Sequence, residues 1–267
     1  AAFALTLFFS TCNEADADCD VLIIPHNSNV SLGDMFSRID NEGQAITAEY
    51  AALRQRMEPL VEIMQHKGSS ECYFQAGVSS DELCGFEQLR NDRLGVESGP
   101  PGANAGWIRD TLTEGLLIED ELGVNPYKYG IIASTDTHLG TPGAADEDNF
   151  LGHGGAGVPA KDHVPPGLPD KLDYGPGGLA VVWAEENTRD SLFASMKRRE
   201  TYGTSGTRII TRMFGGWDLD PGMCGDPDFV EQGYAHGVPM GGELSDAGRG
   251  APSFAISSQA DAGTVES

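Results

Sequence analysis

The stretch IIASTDTHLG, residues 131–140, runs from an apolar strand into an acid and a histidine. Side chains two apart on an extended backbone face the same side, so Asp136 and His138 can both reach one point beyond the strand's carboxyl end. Either that point holds a divalent metal, or the pair hydrogen-bonds nearby backbone. Just upstream, GWIRDTLTEGLLIEDELG (106–123) spaces Ile108, Leu112, Leu116 and Leu122 as one helical face, with Gly123 closing the helix. Further back, LVEIMQ (60–65) reads as a strand and TAEYAALRQRM (47–57) as a helix capped by Thr47. DVLIIPHN (20–27) reads as a buried strand whose end carries His26.

Downstream, GLAVVWA (178–184), TRIITRMF (207–214) and PSFAIS (252–257) are predicted strands. ENTRDSLFASMKRRE (186–200) is a predicted helix capped at Asn187, with Asp190 in its first turn and Lys197, Arg198 and Arg199 in its last. Strands alternating with helices, the strands almost continuously apolar, predict an α/β chain: mostly parallel strands with outer helices. Sites in such sheets form at the carboxyl ends of strands. His26, His66, Asp136 and His138 all fall there.

A chain of 267 residues fits one large α/β domain, and its abundant glycine and proline predict long loops. The expected division is a short apolar segment (1–19), a β/α domain (20–215) and a C-terminal extension of loop and strand (216–267). Lys+Arg 17 against Asp+Glu 41 gives a formal charge of −24, which repels nucleic acid and anionic lipid and argues against both as partners. The apolar run 1–9 is too short to span a bilayer. With Cys12 placed like a lipoprotein cysteine, it reads equally as the tail of a secretory signal or as a core element. The first reading points outside the cytoplasm (periplasmic, secreted or lipid-anchored); the second is compatible with a cytoplasmic location. Five cysteines leave at least one thiol free or modified, and in an oxidising compartment Cys72 and Cys84 are the favoured pair. Oligomeric state is not written in the sequence.

Three predicted strands end on a histidine: IIPH at His26, VEIMQH at His66 and ASTDTH at His138. Neutral imidazole and carboxylate are common ligands of divalent Zn, Mn or Fe. For any one histidine, a hydrogen bond to loop backbone explains it as well; the recurrence favours metal. Glu62, four residues before His66, reads as a partner orienting a histidine, as a ligand, or as a residue at the sheet's rim. His153, His163 and His236 lie in Gly/Pro-rich loops, where solvent exposure is the default. In ETYGTSGTR (200–208), Thr204, Ser205 and Arg208 offer hydroxyls and a guanidinium to a small anionic substrate. No Lys-Ser or Lys-Thr follows the second glycine, so this is not a P-loop, and an ordinary turn accounts for it equally. Lys67, beside His66, offers a charge to the same anion or points to water.

The segments IPHNSN, VEIMQHKGSSEC, NPYKYGIIASTDTHLGTPG, WAEENTRDSLFASMKRRETYGTSGTR, FGGWD and GVPMGGEL resemble a large, mostly bacterial family of unknown function. That family is related to the PHP (polymerase and histidinol phosphatase) metal-dependent phosphoesterases. The resemblance runs from about Cys19 to about Ile256. It implies a partial or distorted PHP-like β/α barrel of the metallohydrolase type, with divalent ions held by histidines and acids. The late Asp-x-His of the PHP pattern falls on Asp136 and His138, and earlier strand-end histidines on His26 and His66. The His-x-His that opens PHP proteins is missing, so the chain looks like the C-terminal part of a longer member. The expected activity is a phosphoesterase that attacks with metal-activated water, with Asp136 and His138 catalytic and Arg208 steadying developing charge. An amidohydrolase-like C–N or C–O hydrolase, or a non-catalytic binding module, are the alternatives.

Overall fold

The computed structural model describes residues 20–31, 33–74, 80–88, 106–137, 140–146, 175–245 and 250–263. Helix α1 (Ala48–Met57) starts where the Thr47 side chain accepts from the Tyr50 N–H at 3.2 Å. Pro59 follows its end and starts the chain into β1 (Leu60–Gln65), buried at every position but Ile63. A two-residue turn, His66–Lys67, folds β1 back into the short β2 (Gly68–Ser69). Helix α2 (Ile108–Leu122) stops at Gly123, whose φ of 76° is the left-handed cap the sequence predicts. Strand β3 (Gly130–Ala133) then pairs with β1 in parallel, Leu60 opposite Gly130 and Val61 opposite Ile131.

Strands β4 (Leu179–Val182) and β5 (Thr201–Thr204) pair antiparallel, joined through α3 (Arg189–Lys197). The cap of α3 is Thr188, which accepts from the Ser191 N–H at 3.3 Å, and not Asn187. Strands β6 (Ile210–Gly216), β7 (Val238–Pro239) and β8 (Ser253–Gln259) build an antiparallel sheet with α4 (Phe229–His236) beside it. Cys72 and Cys84 form a disulfide, the pairing favoured from sequence.

The predicted β/α barrel of mostly parallel strands does not form. Among the described residues there are three small sheets, ordered β2-β1-β3, β4-β5 and β7-β6-β8, and β1–β3 is their one parallel ladder. The physical reason is that an apolar run announces burial but not the direction of its neighbour. Strands β6 and β8 show the difference, because Ile210, Phe254 and Ile256 are exposed, as one-sided antiparallel sheets allow. The predicted strand 20–27 is irregular. Pro25 has no N–H to donate, and the segment is tethered by backbone bonds from Ile23 N–H to Met57 O at 2.7 Å and from Glu62 N–H to Pro25 O at 2.9 Å.

One apolar cluster joins Phe36, Val61, Ile108, Ile118 and Tyr127, and a second joins Phe214, Leu219, Met223, Phe229 and Ala255. Strand β5 runs alongside β3 in the same direction: Thr201 Oγ1 donates to Ile131 O at 2.9 Å, and two residues later Gly203 meets Ala133. A Cβ on Gly203 would stand 2.7 Å from Ala133 N, so only glycine permits this approach. The carboxyl ends of β1, β3 and β5 therefore gather at one end of the molecule.

Candidate functional site

The parallel β1–β3 ladder sends both chains out on the same side. Beyond β1 stand His66 and Lys67; beyond β3 stand Ser134, Thr135 and Asp136. His66 Nε2 lies 3.0 Å from Asp136 Oδ2. Lys67 Nζ sits between them, 2.7 Å from His66 Nε2, in contact with Asp136 Oδ2 and donating to Gln65 Oε1 at 3.0 Å. The imidazole is buried at 2% exposure, whereas the Asp136 side chain keeps 24%. A single ring nitrogen either accepts from Lys67 or donates to Asp136, so the proton on His66 decides which contact is a hydrogen bond.

Asp136 has φ of 51° and Asn27 φ of 57°, two of the four non-glycine residues with positive φ among those described. Asp and Asn tolerate this region better than most side chains, and strained positions of this kind cluster at functional sites. Gly177 closes the floor: at φ of 86°, a Cβ there would stand 2.7 Å from Ser134 O and 3.0 Å from His66 N.

Glu62 is buried. Its Oε1 accepts from the Asn27 N–H at 3.3 Å and its Oε2 from Ser134 Oγ. Burial raises its pKa above the ordinary 4.5, against the Ser134 hydrogen bond and the positive charge of His26, while Asp136 adds to the rise. Asp136 goes the other way. Partial burial would raise it, but hydrogen bonds and charge from His66 and Lys67 hold it well below the usual carboxylate range. The two acids therefore act oppositely on stability. A raised Glu62 contributes stability that is complete below the ordinary glutamate range and lost as pH rises through its folded value; a lowered Asp136 contributes stability present above the ordinary aspartate range and lost on acidification. In the metal-free chain, Glu62→Gln is expected to flatten the decline of the urea midpoint between about pH 4.5 and neutrality. Parallel wild-type and variant profiles would show that Glu62 ionises normally.

The predicted residues are distributed unevenly. His66, Asp136, Lys67 and Glu62 are together, with the Lys67 ammonium inside the cluster and not in bulk water. His26 is exposed beside Asn27, close enough for its charge to act on Glu62. His138 lies outside the described residues, as do His153 and His163; His236 is exposed on the last turn of α4. Thr204 ends β5 next to the site, where the Gly178 N–H donates to Ser134 O at 2.7 Å, but its hydroxyl accepts from the Gly206 N–H at 3.4 Å, as in an ordinary turn. Ser205 and Arg208 are exposed, and the Arg208 backbone donates to Asp261 at 2.7 Å. Sequence reasoning missed Ser134, Asn27 and Gln65. The signal for Ser134 was there, two residues before Asp136 on the same strand face. A second group, Cys72, Asp81 and Cys84, has ligand-like spacing, but its sulfurs are consumed by the disulfide and Asp81 binds Arg109 at 2.7 Å.

With this geometry in view, the chain belongs to a family of proteins of unknown function (DUF3604), whose model matches residues 6–266. No curated protein and no solved structure matches it. Among the described residues no helix is long and apolar enough to cross a membrane.

Proposed function

We propose that the cluster at the ends of β1 and β3 is the divalent-metal site of a hydrolase acting on phosphate esters, related to the PHP phosphoesterases. One observation carries the reading: His66 Nε2, Asp136 Oδ2 and Gln65 Oε1 already converge on a cation, the Lys67 ammonium. An imidazole and a carboxylate around a cation form a donor set that fits Zn, Mn or Fe. Asp136 and His66 would hold the metal, with His138 and His26 as the further ligands the resemblance implies. When bound, it supplies Lewis acidity and lowers the pKa of water toward neutrality. Glu62 keeps its place through Ser134 and Asn27 and fixes the strand end that presents His66. Lys67, released from the ligands, is placed to meet the negative charge of the substrate, with Thr204 and Ser205 on the neighbouring strand end and Arg208 beyond them.

The disulfide supports an extracytoplasmic setting, periplasmic, secreted or lipid-anchored. A non-catalytic module is the second reading, and the same lysine favours it, since an ammonium at the focus can neutralise the cluster permanently. Metal analysis of the purified chain separates them, combined with p-nitrophenyl phosphate hydrolysis before and after chelation. Stoichiometric Zn, Mn or Fe, with activity lost on chelation and restored by the ion, is the expected result. A folded, metal-free and inactive chain that stays inactive in all three ions would sink the hydrolase. An amide or lactone substrate turned over in preference to the phosphate ester would move the activity to the amidohydrolase-like class.

A further inference from the structure

A cleft of about 490 Å³ opens at the other end of the β4–β5 pair. Glu200 immediately precedes β5 and Thr204 is its last residue, so this cleft and the His66–Asp136 cluster lie at opposite ends of the strand. Its walls include Trp183, Glu185, Arg198, Glu200, Arg212 and Tyr234, brought from β4's end, the α3–β5 turn, β6 and α4.

The floor is the Glu200 carboxylate, its side chain 3% exposed. Arg198 Nε donates to it at 2.9 Å, the Tyr234 hydroxyl donates to it, and an Arg212 nitrogen stands 3.7 Å away. Arg212 lies flat on Trp183, guanidinium carbon 3.4 Å from the ring centre, and Trp183 is itself held by its Nε1 donating to Thr211 O at 3.1 Å. The Arg212 side chain is 21% exposed, and among the described residues its guanidinium makes one hydrogen bond, to Tyr234 Oη at 2.9 Å. A guanidinium carries a fork of N–H donors, so most of those on Arg212 stay open to the cleft. The two acids and two guanidinia balance in number but not in place. Arg198 takes both acids, the buried Glu200 at 2.9 Å and the 71% exposed Glu185 at 3.0 Å at the solvent edge, which leaves Arg212 with no carboxylate at hydrogen-bond distance among the described residues.

We propose that this cleft is a second binding site, for the carboxylate of a small polyhydroxylated acid of sugar-acid size. The flat, immobilised Arg212 fork matches a carboxylate in two-point contact. Glu185 at the rim and the remaining lone pair of the Tyr234 hydroxyl offer acceptors to ring hydroxyls. The volume lies within the range of small-molecule sites and suits a monosaccharide acid.

The test is calorimetric titration of the whole chain with D-glucuronate, with glucose and acetate as matched probes at constant ionic strength. Saturable glucuronate binding is expected, with glucose and acetate each weaker by roughly tenfold or more, the worth of one charge-assisted contact. Arg212→Lys keeps the charge and loses the fork, and is expected to weaken glucuronate by a similar factor with an unchanged circular dichroism spectrum. Trp183→Phe, which loosens the platform under Arg212, is expected to weaken it less. No saturable glucuronate binding to the wild-type chain, equal binding of glucose or acetate, or undiminished binding by a folded Arg212→Lys variant would each overturn the proposal.

Discussion

Asp136→Asn is expected to lose bound metal and phosphate-ester hydrolysis together, with kcat falling by roughly 10²–10³-fold, the cost of removing one group that stabilises charge at a reacting centre. Asparagine suits the backbone here. Its side chain has nearly the same shape, and it tolerates the left-handed φ of 51° as well as aspartate does. What changes is charge. Asp136 is the carboxylate in contact with both His66 Nε2 and Lys67 Nζ. Without it the ammonium faces a neutral amide, and an incoming metal meets an imidazole with no anion beside it. Lys67→Met is the informative companion. Removing the competing cation should raise metal occupancy, while KM for the anionic ester rises because the substrate loses a positive partner. Metal content by plasma mass spectrometry and initial rates on the same samples decide the matter. An Asp136→Asn protein with full metal and wild-type rate would remove this residue from the site, and a Lys67→Met protein with unchanged KM would remove the lysine from substrate binding.

The meeting of His66 and Asp136 was legible because it needed only two strand ends and one parallel pairing. Apolar LVEIMQ and GIIA supplied the strands, and a helix between them, closed at Gly123, supplied the crossover that a parallel pair requires, although its buried face is Ile108, Thr111, Gly115 and Ile118 and the predicted Leu112 and Leu116 are exposed. The same logic failed for β4 and β5. A helix also joins them, yet they pair antiparallel, and nothing in LAVV or TYGT distinguishes the two outcomes. The strand predicted to end at His26 failed for a different reason. Its apolar run includes Pro25, which withholds a ladder donor, so the segment lies beside β1 without becoming a strand. Lys67 was undecidable from sequence, because a residue in a two-residue hairpin turn faces either way until the partner strand's end is known. The Arg212–Trp183–Tyr234–Glu200 cluster was invisible, since its members are far apart in the chain and no spacing rule links them.

Arg54→Met is expected to cost about 3–5 kcal/mol of stability, the usual penalty for leaving half of a buried ion pair behind. Arg54 and Glu58 have side chains 3% exposed and are joined at 2.7 Å one helical turn apart. Burial by itself would lower the Arg54 pKa, but the surrounding Tyr129 and Glu58 raise it further, so the guanidinium stays charged. Its other contacts fix it in place: Nη2 donates to Met35 O at 2.7 Å, and the cation lies 5.0 Å from the Tyr127 ring centre and 5.4 Å from that of Phe36. The Tyr129 hydroxyl donates to Glu58 at 2.9 Å, tying the pair to the chain just before β3. Removing Arg54 alone strands the Glu58 carboxylate among aromatic rings, whereas Arg54→Met with Glu58→Leu removes both charges and takes partners only from the neutral Tyr129 hydroxyl and Met35 carbonyl. The double variant should therefore recover most of the loss, and urea unfolding of the four proteins in the cycle gives the coupling directly. Additive losses, or an Arg54→Met cost below about 1 kcal/mol, would mean that the aromatic packing holds this corner without the pair. The position makes the outcome matter for the site. Glu58 and Pro59 lead straight into β1, so this pair sets where that strand begins and hence where His66 emerges. A loosened corner should weaken metal binding in a folded Arg54→Met chain even though no proposed ligand is altered.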